Sequence, residues 1–187
     1  MDSRTLHAIA RLSARERLTI ASTGGTHMDA PADKVAALAD VARALDRLGT
    51  PHALVGGVAV GIRSGVPRAT LDTDIAVPST LTKPAVVEAL TAAGLRLTGT
   101  FAHSMNFRHP SGEPIQLVFD PEFDAMIGRA EPLDVAGVRV RVVTTADLIT
   151  MKERAAADPD RRRSKALRDR ADIELLRGDV PRPDEGW

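Results

Sequence analysis

The sequence contains Leu54-Val55-Gly56-Gly57-Val58-Ala59 and, further on, Arg68-Ala69-Thr70-Leu71-Asp72-Thr73-Asp74-Ile75. Each segment includes a short apolar run typical of a strand, and residues 58–63 between them predict a short helix. Alternate side chains of a strand point to the same side, so we expect Asp72 and Asp74 to converge at one strand end. Two carboxylates held close together repel each other, and a divalent cation relieves that repulsion. Oxygen ligands of this kind suit Mg²⁺, which also binds phosphate oxygens.

The paired glycines predict a phosphate-binding turn. Gly56 and Gly57 follow a strand and precede a helix, where the missing Cβ atoms let a triphosphate approach and the helix N-terminus favours anions. Arg63 and Arg68 flank this turn and are expected to neutralise phosphate charge. Nucleotidyl transfer needs a metal, oriented phosphates and charge neutralisation. A Gly-Gly pair alone is more often an ordinary turn, and Asp-x-Asp alone a solvated strand end, so the prediction depends on their combination.

Outward from these segments, the apolar periodicity predicts an α+β fold: a mixed sheet flanked by helices, with a helical C-terminal part. The predicted helices cover residues 3–18, 33–48, 84–93, 146–157 and 163–177. The predicted strands cover residues 52–55, 74–77, 95–101, 105–108 and 114–119, with a hairpin over 131–143. We predict one domain over 28–177 and a loose tail over 178–187. Residues 1–27 form a helix and a linker around 22–26, and are either an appendage or an ordinary first helix.

The composition excludes several classes of protein. The chain has 187 residues, with 25 basic and 25 acidic side chains, which argues against nucleic-acid binding by the whole surface but leaves room for a local basic groove. Cys is absent, which excludes disulfides and thiolate metal sites. No apolar run reaches about 18 residues, so no membrane span is predicted, and the N-terminus lacks the pattern of a signal peptide. We therefore expect a cytoplasmic protein.

Together the two opening segments resemble the signature of the DNA polymerase β-like nucleotidyltransferase superfamily. The form Arg-x-Thr-x-Asp-x-Asp-Ile, which includes Thr70, is similar to abortive-infection nucleotidyltransferase toxins and to small antibiotic nucleotidyltransferases. Thr73 departs from the family pattern, in which an apolar residue is usual, although a β-branched residue fits a strand. The resemblance implies that Asp72 and Asp74 bind Mg²⁺ or Mn²⁺ and that Thr70 lies with the nucleotide. The activity it implies moves a nucleoside monophosphate from a nucleoside triphosphate to a hydroxyl on RNA, protein or a small molecule.

The resemblance continues into the C-terminal helices. In the toxin group a Lys follows a small hairpin and an Asp-x-x-Asp lies on the next helix, which correspond here to Lys152, Asp169 and Asp172. This implies that Lys152 contacts the phosphates and that Asp169 or Asp172 orients it. The alternative is a solvated ion pair on a helix. Residues 161–170 are rich in Arg and indicate either a solvated helix start or an RNA contact, and the toxin resemblance also implies a cognate antitoxin.

One position departs from the superfamily in a way that affects the chemistry. Members usually have a third carboxylate on a neighbouring strand, which helps to activate the acceptor hydroxyl. Alignment on the Ser-Gly turn places Gln116 there, and a neutral amide cannot act as a base. Either the toxin-like members tolerate a neutral group, or Asp120 substitutes, or nucleotide is bound without efficient turnover. Asp120 lies about 13 Å along an extended strand from Gln116, so we favour the first explanation over the second. A pure interaction protein is the remaining alternative.

Overall fold

A computed structural model of the chain describes residues 4–24, 32–135 and 137–180, and for residues 16–24 it describes the backbone alone. Within these residues seven strands form a single mixed sheet. The strands are β1 (Ala53–Val55), β2 (Thr73–Ala76), β3 (Arg96–Thr100), β4 (Ser104–Arg108), β5 (Pro114–Val118), β6 (Glu131–Val135) and β7 (Val138–Val142). Their order in the sheet is β3-β4-β5-β2-β1-β7-β6. The mixed sheet predicted from the apolar pattern is confirmed.

The register of the central strands decides where polar side chains meet. β1 lies antiparallel to β2 and parallel to β7, while β2 lies parallel to β5. Leu54, Ile75 and Leu117 on these strands are fully buried, as expected for apolar runs at the centre of a sheet. The pairing sets Asp74 opposite Val55 on one side and opposite Gln116 on the other. The end of β1, the start of β2 and the middle of β5 therefore meet at one place.

Seven α-helices and a short 3₁₀ helix, Pro121–Phe123, flank the sheet in the described part of the chain. The α-helices are α1 (Arg4–Gly24), α2 (Lys34–Arg47), α3 (Gly56–Ser64), α4 (Lys83–Ala92), α5 (Asp124–Arg129), α6 (Thr145–Ala157) and α7 (Arg163–Arg177). Asp33 caps α2, because its Oδ1 accepts a hydrogen bond of 2.9 Å from the Ala36 N–H. α6 and α7 pack on each other, which confirms the helical C-terminal part.

α1 packs onto α3, and its Leu6 and Ile9 are fully buried. A Cβ added to Gly61 of α3 would lie 2.6 Å from Ile9 Cδ1, so the side chain of Ile9 packs directly on this glycine. α1 continues to Gly24, so residues 22–24 are helical and not the predicted linker. Sequence could not exclude this, because Ser and Thr only weakly disfavour helix. The rest of that linker lies outside the described residues, as do residues 181–187 of the predicted tail.

The segment after β5 was not predicted from the sequence. It contains the 3₁₀ helix and α5, which has six residues. Helices of this length are too short for a 3.6-residue period to be recognised. Asp120 caps the 3₁₀ helix, where its Oδ1 accepts a hydrogen bond of 3.1 Å from the Glu122 N–H. Among the described residues, no helix combines the length and apolar composition that crossing a bilayer needs.

Candidate functional site

A cleft of about 1000 Å³ opens where β1, β2 and β5 meet α6 and α7. Its walls come from the start of α3, the loop before β2, the middle of β5 and the turn between α6 and α7. Most of the residues predicted to form the site line this cleft: Gly56, Gly57, Arg68, Thr70, Asp72, Asp74, Gln116, Lys152 and Asp169. Residues more than 110 positions apart in sequence are thus brought into one concave surface, as expected of a binding site.

The carboxylate of Asp74 lies directly against the first residue of α3. A Cβ added to Gly56 would come within 2.0 Å of Asp74 Oδ2, and the backbone of Gly56 has a φ of +66°. Both facts require glycine here, because a side chain would displace the carboxylate and a positive φ strains other residues. Asp72 immediately precedes β2 and is exposed to the cleft. The two acids therefore lie beside the helix N-terminus at which the glycines were predicted to bind phosphate.

Arg68 and Thr70 complete this side of the cleft. A Cβ on Gly57 would lie 3.0 Å from both Arg68 Nη2 and Thr70 Oγ1, so these two side chains pack against the second glycine. Thr70 Oγ1 also lies 3.4 Å from Asp72 Oδ1. The backbone N–H of Thr70 donates a hydrogen bond of 3.1 Å to Ser13 Oγ of α1. This hydrogen bond connects α1 to the loop before β2, which carries the predicted nucleotide-binding residues Arg68 and Thr70.

The electrostatics of Asp74 favour a bound cation. Burial and the neighbouring charge of Asp72 raise the pKa of Asp74 from 3.8 to about 7, against the opposing effect of Lys152. Within the described residues no cluster of three or more His, Asp or Glu side chains could hold a metal. The carboxylates of Asp72 and Asp74 offer oxygen donors at the same wall of the cleft. Mg²⁺ commonly binds one or two carboxylates and completes its shell with water and phosphate oxygens, so these residues fit such an ion.

This pKa predicts an unusual dependence of stability on pH in the metal-free protein. The folded-state pKa of Asp74 lies above its unfolded value of 3.8, so the folded protein binds this proton more tightly and the carboxyl destabilises it as pH rises from about 4 to about 7. In EDTA, Asp74→Asn should therefore be more stable than wild type near pH 8, by up to about 4 kcal/mol, and no more stable near pH 4. Urea unfolding at both pH values measures this difference. A difference that does not change with pH would contradict the assignment.

Lys152 is held by two acids of α7. Its Nζ donates a hydrogen bond of 2.7 Å to Asp169 Oδ1 and lies 2.8 Å from Asp172 Oδ2. Both carboxylates are 2% exposed or less, so this is a buried ion pair and not the solvated pair that the sequence left open. Asp169 also accepts from Arg161, and Asp172 accepts from Arg68 at 2.9 Å. An ammonium has three donors, and among the described residues these two acids are the partners found for Lys152, so one N–H is left for a ligand in the cleft.

The structure corrects one of the sequence-based assignments. Arg63 contacts β7 and not the cleft: its Nε and Nη2 donate hydrogen bonds of 2.7 Å to the carbonyls of Val143 and Val142, and Nη1 pairs with Glu131 at 2.5 Å. It lies two turns, about 10 Å, along α3 from the helix N-terminus, so it cannot reach phosphates bound there. Asp172, one of the two acids expected to orient Lys152, contacts Lys152 and Arg68 and does not line the cleft.

The third strand of the site carries Gln116 where the sequence placed it. Gln116 pairs with Asp74 across β5 and β2 and lines the cleft. Asp120, the alternative carboxylate, caps the 3₁₀ helix and has His103 Nδ1 3.3 Å away. Glu122 is a carboxylate of the cleft that sequence reasoning missed, and it pairs with Arg154 of α6. No local signal identifies Glu122, because it lies in the short 3₁₀ segment that periodicity does not show.

Comparison with known proteins identifies the fold. Neither the protein-family models nor the curated proteins contain a match. Among solved structures, an antigenic nucleotidyltransferase-like protein from Paracoccidioides brasiliensis is 23% identical, with a TM-score of 0.53 over 82% of this chain and 80% of that one. ANT(2")-Ia in complex with adenylyl-2"-tobramycin is 18% identical, with a TM-score of 0.54 over 79% and 90% of the two chains. The lincosamide antibiotic adenylyltransferase LnuA, lincomycin-bound, is 15% identical, with a TM-score of 0.50 over 73% and 91%. At these identities the likeness establishes the fold, which is the polymerase β-like nucleotidyltransferase fold expected from the sequence.

Proposed function

We propose that this protein is a Mg²⁺-dependent nucleotidyltransferase that moves a nucleoside monophosphate from a nucleoside triphosphate to a hydroxyl acceptor. The observation that supports this most directly is the position of Asp74, whose carboxylate lies against Gly56 at the N-terminus of α3 and beside Asp72. In this proposal a cation binds next to the triphosphate, within reach of the positive charges of Lys152 and Arg68. That combination is what stabilises the charge of a phosphoryl group during transfer.

Each residue of the cleft has a role in this proposal. Asp72 and Asp74 bind the metal, which when bound polarises the phosphate oxygens and neutralises their charge. The N-terminal turn of α3 presents backbone N–H groups to the triphosphate. The remaining N–H of Lys152 and the guanidinium of Arg68 donate to phosphate oxygens. The acceptor oxygen forms a bond to the α-phosphorus as the bond to the leaving pyrophosphate breaks, and Gln116 orients the hydroxyl while its proton is released to solvent.

A transfer assay tests this proposal. The protein is incubated with each labelled nucleoside triphosphate, Mg²⁺ and total RNA, and label in RNA, in protein and in small molecules is measured separately. The variant Asp72→Ala plus Asp74→Ala gives the background. We expect label in one of the three fractions with wild type alone. Equal labelling by wild type and variant in every fraction would reject catalysis at this site.

For the acceptor, we propose an RNA 3′ end, because the far wall of the cleft is cationic. Arg162, Lys165 and Arg168 line the cleft at intervals of three residues at the start of α7. Residues at this spacing share one face of a helix, and these three span about 9 Å along it. Arg68, Lys152 and Arg161 are paired with acids, whereas for these three no ion pair is found within the described residues. Cations without partners suit successive phosphates of a strand.

Neutralising this cationic row should weaken the RNA acceptor selectively. The triple variant Arg162→Gln, Lys165→Gln and Arg168→Gln is expected to lower RNA labelling about tenfold or more and to reduce the slope of log affinity against log salt by about 2. Nucleotide affinity should stay close to that of wild type. Arg163→Gln is the matched control, since Arg163 is exposed on the same helix start but does not line the cleft. Loss of RNA labelling in this control as well, or in neither variant, would reject the assigned RNA path.

The resemblance to abortive-infection toxins supports one further part of the proposal, a toxin-like role with a cognate antitoxin. Transfer to RNA would then arrest growth of a cell that expresses the protein. Growth curves of cells that express wild type or the double Asp→Ala variant test this directly. Arrest by wild type alone supports the role, and unchanged growth with active protein in the cell contradicts it.

A second candidate function is nucleotide binding without efficient turnover, and the position of Gln116 favours it. The amide lies beside Asp74, where a base would act on the acceptor. Gln116→Asp is expected to raise pyrophosphate release about tenfold at saturating Mg²⁺, because it supplies the missing carboxylate. Calorimetry and a pyrophosphate assay on both proteins separate the two functions. Nucleotide affinity without pyrophosphate release in wild type supports the binding module, and release by wild type supports the enzyme.

A further inference from the structure

A buried polar cluster lies behind the acid pair. It consists of Lys34 at the start of α2, Thr73 at the start of β2 and Glu113 just before β5, each at most 1% exposed. Lys34 Nζ donates to Thr73 Oγ1 at 3.2 Å and pairs directly with Glu113, and Thr73 Oγ1 donates to Glu113 Oε1 at 2.9 Å. Thr73 is the residue that departs from the apolar pattern of the superfamily, and its hydroxyl is engaged on both sides. The hydrogen bonds of this cluster therefore explain why a threonine stands at position 73, where the superfamily usually has an apolar residue.

The cluster reaches the site through the backbone of Asp72. Lys34 Nζ donates a hydrogen bond of 3.1 Å to the carbonyl of Asp72. The ladder of β2 with β5 begins at Thr73, and that with β1 ends at Asp74, so Asp72 lies outside both ladders. The sheet therefore fixes Asp74 and leaves the peptide of Asp72 without ladder hydrogen bonds. The bond from Lys34 supplies a constraint at the position where the sheet supplies none.

Stability alone does not account for a lysine and a glutamate in this position. Removing two charges from water costs several kcal/mol per ion, and apolar residues of similar volume are often as stable or more stable. A polar cluster without a role would thus give no advantage over Met, Val and Leu at these positions. Buried ionic groups are best attested where they specify one arrangement among several. At this location the arrangement that they specify is the start of β2.

We propose that Lys34, held by Glu113 and Thr73, is a positioning residue for the metal site. It fixes the carbonyl of Asp72 and through it the place of the Asp72 carboxylate relative to that of Asp74. The inference rests on the proposed function, because it assigns the cluster to the metal pair of that site. Lys34 touches neither metal nor nucleotide in this account, and it acts through the peptide of Asp72. Loss of the cluster should therefore lower metal affinity and leave nucleotide contacts in place.

The double variant Lys34→Met plus Glu113→Gln tests this. It removes both charges together, so that no single charge is left buried, and the new amide can still accept from Thr73. Mn²⁺ is the probe, titrated alone and followed by electron paramagnetic resonance. We expect its affinity to fall about tenfold or more, the range for residues that orient metal ligands. Nucleotide affinity in EDTA should stay unchanged, and excess Mn²⁺ should restore the transfer rate, which a general loss of stability would not produce.

A milder pair of variants keeps the test decisive if the double variant does not fold. Thr73→Val removes the hydroxyl at nearly constant shape, whereas Thr73→Ser keeps it. We expect weaker Mn²⁺ binding in the Val variant and binding close to wild type in the Ser variant. Equal Mn²⁺ affinity of wild type and the folded double variant, or of the Val and Ser variants, overturns the inference and leaves the proposed function standing. Absence of Mn²⁺ binding in wild type overturns the proposed function, and this inference with it.

Discussion

Asp72→Asn and Asp74→Asn should each lower nucleotidyl transfer by about 10³-fold or more, since each removes a proposed metal ligand and a negative charge beside the proposed phosphate site. The amide keeps the size of the side chain, so Gly56 and the start of α3 stay as they are. Pyrophosphate release with saturating nucleotide and Mg²⁺ measures the rate. Thermal unfolding with and without Mg²⁺ and nucleotide measures binding, because a ligand that binds the folded state alone raises its melting temperature.

The control for this prediction is a carboxylate elsewhere on the chain. Asp46 of α2 is 60% exposed, lies 3.9 Å from His52 Nδ1 and does not line the cleft, so Asp46→Asn should leave both the rate and the melting shift at wild-type values. A melting shift that persists in the Asp72 and Asp74 variants would mean that nucleotide and metal bind away from these acids. That result would contradict the proposal that these acids form the active site, even if some transfer were detected.

The core of the site was predictable because its parts are local in sequence. Strand geometry puts two acids with one residue between them on the same side of a strand. The turn from a strand into a helix puts glycines that directly follow an apolar strand at the helix N-terminus. The antiparallel pairing of β1 with β2, which brings Asp74 next to Val55 and so next to Gly56, needed only the assumption that the two strands are neighbours. Gln116 was placed by alignment with the superfamily on the Ser-Gly turn, and the β2–β5 register sets it opposite Asp74.

Residues that depend on long-range packing were not predictable in this way. Arg63 follows the glycines closely in sequence, but the helix carries it two turns away, and its partners in β6 and at the end of β7 are about 70 to 80 residues distant. Lys34 and Glu113 are 79 residues apart and each looks like an ordinary surface charge in sequence. A buried charged residue can be recognised only when its partner is known. The apolar periodicity of a single sequence does not identify that partner.

Lys152→Met is expected to lower nucleotidyl transfer by about 10²- to 10³-fold, because it removes the α6 cation of the cleft to which we assign the contact with the triphosphate. The fold should survive the change, since Asp169 keeps its contact with Arg161 and Asp172 keeps its contact with Arg68. Met matches the length and packing of the lysine stem. Nucleotide affinity by calorimetry and the single-turnover rate should both fall, while Mn²⁺ affinity should stay near wild type, because the metal ligands are unchanged.

Lys152→Arg separates the charge of this side chain from its geometry. Asp169 and Asp172 hold one compact ammonium between them at 2.7 and 2.8 Å, and a planar guanidinium has its donors in a wider fork. If position matters, the Arg variant should recover little of the lost rate although its charge is the same. Full recovery by Arg would mean that only a positive potential is needed there. The two buried acids would then stabilise the packing of α6 on α7 and would not be needed to orient Lys152. Because both acids are almost fully buried and both contact the same nitrogen, we expect the geometric outcome.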